Sequence, residues 1–178
     1  MKTRCTALIF LSFLLFAFPA HSQSALPAHE WTADQLKAMH GMQTNLALLI
    51  AHAALNFQSE KGEQRSITPA KTTYAAKPNP AMMSENEDIL SKNNGKDWYY
   101  TALYKGDDFV DFSMQAFITM PVWGEANGSL TAEEQPKSSG SEDRRWILKM
   151  NGAPVASYQW AKKNGTTYGF IKISRAPL

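Results

Sequence analysis

The chain has 178 residues, with 18 Lys/Arg against 16 Asp/Glu and a single cysteine. That length is one domain's worth, with enough chain to bury a real core. So even a charge balance argues against nucleic-acid binding, and one cysteine excludes both a disulfide framework and the usual structural zinc site.

The first 22 residues read as a cleaved secretory signal. Lys2 and Arg4 give a positive start, residues 7–18 form an apolar run, Pro19 breaks it, and Ala20-His21-Ser22 offers small residues for cleavage. The run is shorter than the about 20 apolar residues that a spanning helix needs. Cys5 precedes the run, so no lipid-bearing cysteine stands at the cleavage site. The reading is a periplasmic or secreted protein with a single domain over residues 23–178 and no transmembrane segment after cleavage. Loss of Lys2 and Arg4 leaves 16 residues of each sign and no cysteine.

Thr32-Ala-Asp-Gln35 is a capping box that starts a helix, and Lys61-Gly62 ends it after Ser59. Leu36, Met39, Leu46, Ile50, Ala53 and Phe57 recur at helical steps and give one apolar stripe. Around Leu46–Ala51 the apolar surface is wider than a stripe, which predicts cover on more than one side. Residues 63–97, interrupted by Pro69, Pro78 and Pro80, read as an irregular segment.

From Trp98 the pattern alternates. Residues 98–105 and 108–122 flank Gly106-Asp107 as a hairpin turn, with Val110, Phe112, Met114, Ala116, Ile118 and Met120 on the core face. Residues 123–143 read as a polar loop. Asn151-Gly152 and Asn164-Gly165 then divide strands 144–150, 153–162 and 166–174, a strong hairpin signal. The second turn sets Trp160 opposite Gly169, Tyr158 opposite Ile171 and Ala156 opposite Ile173. The fold class is α+β: a long N-terminal helix laid on one face of a five-stranded antiparallel meander. No internal repeat is visible in the sequence.

Charge is unevenly spread. Residues 85–143 hold 12 acidic and 4 basic residues, whereas residues 144–178 hold 7 basic residues and no acid. Such asymmetry arises from opposite charges paired across neighbouring strands or from an anionic partner.

Catalytic signals are weak. His40 and His52 lie about 120° apart around a helix and cannot share an ion without further ligands; His52 reads as a satisfied structural histidine. Asp107, Asp108 and Asp111 suggest a carboxylate pair or a calcium site, or more simply a turn followed by a solvent-facing Asp. No nucleophile elbow or phosphate-binding glycine loop is present. No metal or cofactor is expected. The feature that stands out is aromatic: in the hairpin reading Trp98, Tyr100, Tyr104, Phe109 and Phe117 share the face opposite the core. A patch of that kind is covered by another part of the domain or binds something.

Lys77-Pro-Asn-Pro80, Glu87-Asp-Ile-Leu90, Ile118-Thr-Met-Pro-Val122 with Gly124, and the last strand Tyr168–Ser174 resemble extracytoplasmic Cache/PAS-like sensor domains. The resemblance implies a long helix feeding an antiparallel sheet and a ligand-sensing role. The Cys-x-x-Cys-His haem attachment found in some of these domains is missing, so haem is not carried over. The resulting expectation is a non-enzymatic module that recognises a small ligand or a partner protein through an aromatic sheet face. The alternatives are an accessory subunit of an envelope assembly and a hydrolase using carboxylates such as Asp108 and Asp111.

Overall fold

The computed structural model describes residues 30–68, 71–84, 89–93, 98–120, 130–137 and 140–174. The signal read over residues 1–22 lies outside them. Every described helix and strand belongs to the compact unit that begins at Trp31.

The first helix, α1 (Ala33–Ala53), begins at the capping box: the Gln35 N–H donates to Thr32 Oγ1 and the Thr32 N–H to Gln35 Oε1. It ends six residues before the expected Ser59. Asn56 and Phe57 both take left-handed φ of 53°, and the Phe57 N–H turns back to the His52 carbonyl. Asn tolerates that conformation; a bulky Phe does so at a cost. The Phe57 ring offsets it by burying completely beside Tyr100, 6.2 Å between centroids. Met42, Leu46, Leu49 and Ile50 face the core, each such side chain worth about 1.5–3 kcal/mol of burial. Leu36, expected on that stripe, is exposed.

Three short strands follow where irregular chain is expected: β1 (Lys61–Ile67), β2 (Lys71–Ala76) and β3 (Ile89–Asn93). Pro78 and Pro80 do break the chain between β2 and β3, Pro80 opening a single 3₁₀ turn. Next comes β4 (Trp98–Lys105), as expected.

The largest departure is residues 108–122. They are not the second arm of a hairpin: Asp107–Thr119 form a second helix, α2. Gly106, at φ 90°, turns the chain into it, and the Val110 N–H reaches the Gly106 carbonyl. Asp107 and Asp108 place negative charge in the first turn, where the helix dipole favours it. Val110, Ser113, Met114 and Phe117 make a helical stripe, all buried. Ala116, Phe112 and Met120 are buried as well, so the row expected to be core is core except for the half-buried Ile118, on a helix instead of a strand.

Beyond α2, the segment expected to be a polar loop contains β5 (Leu130–Glu134), an edge strand. The last three strands, β6 (Arg144–Met150), β7 (Ala153–Lys163) and β8 (Thr166–Ser174), match their reading closely. Asn151-Gly152 and Asn164-Gly165 supply the positive-φ pairs that tight hairpin turns need. The predicted register holds: Trp160 with Gly169, Tyr158 with Ile171, Ala156 with Ile173.

The described strands form one antiparallel sheet in the order β1-β2-β3-β4-β8-β7-β6-β5. This corrects the five-stranded meander. A helix followed by a four-stranded meander occurs twice, and the two meanders join where β4 pairs with β8. The duplication is one of topology; the residues of the two halves show no repeat. Both helices lie on one face of the sheet. Gln43 of α1, itself buried, donates from Nε2 to the Ala116 carbonyl (3.1 Å) and to Thr119 Oγ1 (2.9 Å) of α2. Tyr158 of β7 donates to the Val110 carbonyl (2.9 Å) and meets the Ser113 hydroxyl (2.9 Å), which fixes α2 to the sheet.

Candidate functional site

The five aromatic residues expected to form an open wall do not share a face. Tyr100 and Tyr104 are buried beneath the helices at 1% exposure each, and the Tyr104 hydroxyl donates to the Met82 carbonyl. Phe117 is fully buried on α2, its ring 5.7 Å from that of Tyr158. Phe109 stands alone at the exposed start of α2, 44% accessible. Trp98 is half-buried toward the other end of the sheet, beside Tyr74 and 4.0 Å under Lys61 Nζ. The physical reason is the helix. Alternation would put Phe109 and Phe117 on one side of a strand, whereas helical turns separate one from the other and press Phe117 into the core.

Of the acids considered for catalysis, Asp108 is exposed and Asp111 half-buried on α2, while Asp107 is engaged structurally. Asp107 accepts from the Thr167 hydroxyl, joining the start of α2 to β8. Ser59, His52 and Glu60 come together, yet the serine and the carboxylate both approach His52 Nδ1, at 3.4 and 2.7 Å. A general base needs its nucleophile and its orienting acid on different ring nitrogens, so this group ties the end of α1 to the following turn. Among the described residues no three His, Cys, Asp or Glu side chains cluster for a metal.

What remains is the face of the sheet turned away from the helices. Paired residues of an antiparallel ladder project to the same side, so register assigns the face. Leu103, Phe170, Gln159 and Arg145 form one cross-strand row over β4, β8, β7 and β6. Thr101, Lys172, Ser157, Ile147 and Glu133 form the next, over β4 to β5, and Tyr99 with Ser174 begins a third. No described helix packs on these rows. Ile147 and Ser157 are nonetheless buried, while Tyr99, Leu103, Phe170 and Lys172 are half-buried.

Electrostatics distinguish this face further. Two of the C-terminal bases find acids across the strand pair β5–β6. Arg144 holds Glu134 through Nε (2.8 Å) and Nη2 (3.0 Å), and Lys149 holds Glu133 at 2.6 Å. The Arg144 hydrogen bonds keep the Glu134 carboxyl below the ordinary carboxylate range. Lys172 and Arg145 have no such acid among the described residues. Lys172 Nζ lies 3.9 Å over the Tyr99 ring, and partial burial, with the repulsion of Arg145 second, pulls its pKa down. The signal for these residues was present in the sequence as the acid-free stretch 144–178. The cross-strand reading holds for Arg144 and Lys149, whereas Arg145, Lys162, Lys163 and Lys172 have no ion pair among the described residues.

Compared with protein-family models, curated proteins and solved structures, the chain matches none.

Proposed function

We propose that this protein is an exported, non-enzymatic binding module that receives a small ligand or a partner protein on the open face of its sheet. The observation carrying the reading is the surface made by Tyr99, Leu103, Phe170, Lys172 and Arg145. Half-buried rings and aliphatic groups there adjoin two cations without carboxylate partners, on a sheet face that no described helix covers. Binding surfaces combine apolar area with a few placed polar groups in this way. The likeness to extracytoplasmic sensor domains would make the bound ligand a signal. The signal-peptide pattern supports the location. The test is a fragment screen read by NMR: perturbed resonances are expected to cluster on Tyr99, Leu103, Phe170 and Lys172. Hits confined to other surfaces would overturn the reading.

A second reading, an accessory subunit of an envelope assembly, draws on α1. Leu48 and Leu55 are 51% and 67% exposed, and Ala47, Ala51 and Ala54 are exposed on the same outward side. The apolar width noted in the sequence around Leu46–Ala51 is therefore real and lacks cover among the described residues. Leu48→Glu should then abolish co-elution with envelope proteins in size-exclusion chromatography while leaving the fold intact; unchanged co-elution would remove this reading.

A further inference from the structure

Resting on the open-face reading, we infer that the ligand is an amphipathic anion, a carboxylate or phosphate head on an apolar body, with its head between Lys172 and Arg145 and its body along Phe170 and Leu103. Three observations lead there. First, charge: on this face the Glu133 carboxylate is taken by Lys149, whereas Lys172 and Arg145, on neighbouring rows, have no acid partner among the described residues. Like charges held close raise the energy of the free protein, and an anion between them relieves it.

Second, position. Lys172 lies in the row next to that of Arg145, on β8 and β6, with only β7 between them. Two strand spacings of about 4.8 Å and one two-residue step of about 7 Å put the two backbone positions about 12 Å apart, within the joint reach of two long side chains around one head group once Lys172 swings off Tyr99. The residues between them on β7, Ser157 and Gln159, carry uncharged polar side chains on the same face. Third, surroundings. Phe170 precedes Lys172 by two residues on the same face and stands opposite Leu103, so an apolar strip begins at the cationic point and leads away over β4. Tyr99 flanks the other side, beneath the Lys172 ammonium. A fully hydrated inorganic anion gains nothing from that strip, whereas an acyl or aromatic body does.

The experiment titrates the protein with laurate, dodecyl phosphate, dodecanol and inorganic phosphate by calorimetry, with the wild type and the Lys172→Met, Arg145→Gln and Phe170→Ser variants. At least one of the two amphipathic anions is expected to bind, and more tightly than dodecanol or inorganic phosphate. Each charge removal should weaken it about tenfold, the worth of one charge-assisted hydrogen bond, and Phe170→Ser should weaken the long-chain anions while leaving phosphate unchanged. Equal binding of dodecanol, or affinity untouched by both charge variants, overturns the anionic head. Phosphate binding as tightly as dodecyl phosphate overturns the apolar body, and failure of both long-chain anions overturns the inference outright. In each case the open-face reading stands or falls separately, on where the fragment shifts cluster.

Discussion

The hydroxyl of Tyr158 fills the space in which a side chain at Gly169 would begin. A β-carbon built there would collide with that oxygen and come within 2.9 Å of the ring carbon bearing it. Tyr158 cannot retreat, because it is fully buried and its hydroxyl is held by Ser113 and by the Val110 carbonyl on α2. Burial also keeps the phenol protonated far above its usual range. Gly169→Ala is therefore expected to destabilise by about 1–3 kcal/mol or more, the range for overpacking. Tyr158→Phe alone should cost about 1 kcal/mol for its hydrogen bonds. Combined, the two should cost less than their sum, since removing the hydroxyl relieves the closest part of the collision and leaves only the 2.9 Å approach to the ring carbon. Urea unfolding of the three variants checks this, and strict additivity would contradict the contact.

The helical placement of residues 107–119 makes a separate contrast. Phe117→Ala should cost about 3–5 kcal/mol, as for a buried phenylalanine, whereas Phe109→Ala, on an exposed turn, should stay within about 0.5 kcal/mol. Alternation along a strand would have treated the two alike. Thermal melts of both variants decide the matter.

Much of the fold can be read from the residues, and the misreadings have physical causes. The capping box at Thr32 and the two Asn-Gly turns act through local backbone chemistry, so they translate directly into structure. The segment 107–119 misleads because every even position from Val110 to Met120 is apolar, while its helical stripe includes Ser113. That serine is polar by type yet buried, with its hydroxyl shared between Val110 and Tyr158, a partner 45 residues away that no local pattern reveals. The strands β1 and β5 lie at the sheet edges and are mostly exposed, so they lack the apolar alternation that announces a strand. The candidate site was legible only as a charge imbalance. Which bases are paired depends on the order of strands, which the sequence does not display.

The Arg144–Glu134 pair should appear in the acid limb of stability. The folded carboxyl has its pKa lowered below the ordinary 4.5, so its contribution is present above that value and is lost as pH falls through the folded pKa. Because both side chains are partly exposed, Glu134→Gln should cost only about 0.5–1 kcal/mol at neutral pH. That gap should close on acidification. A gap that persists in strong acid would mean the loss comes from packing of Arg144 on Trp146, whose ring it overlies at 4.6 Å.

Lys172 should behave in the opposite sense to a stabilising ion pair. Its pKa is lowered in the folded chain, first by partial burial and then by Arg145. The folded state therefore disfavours the charged form. That penalty is fully present below the folded pKa and is relieved as pH rises from there to the unfolded value of 10.5. Lys172→Met, which keeps the aliphatic stem and removes the charge, should accordingly melt at or slightly above the wild type at neutral pH. The difference should shrink as the solution is made alkaline, because the wild type then sheds the same proton. Comparing the two proteins at each pH cancels the general effect of alkali on the rest of the chain. Adding Arg145→Gln should reduce the advantage of the lysine substitution, since it removes part of the repulsion being relieved. Should Lys172→Met instead melt well below the wild type, the ammonium would be engaged by an acid in the folded protein, and the charge vacancy on which the anion site rests would not exist.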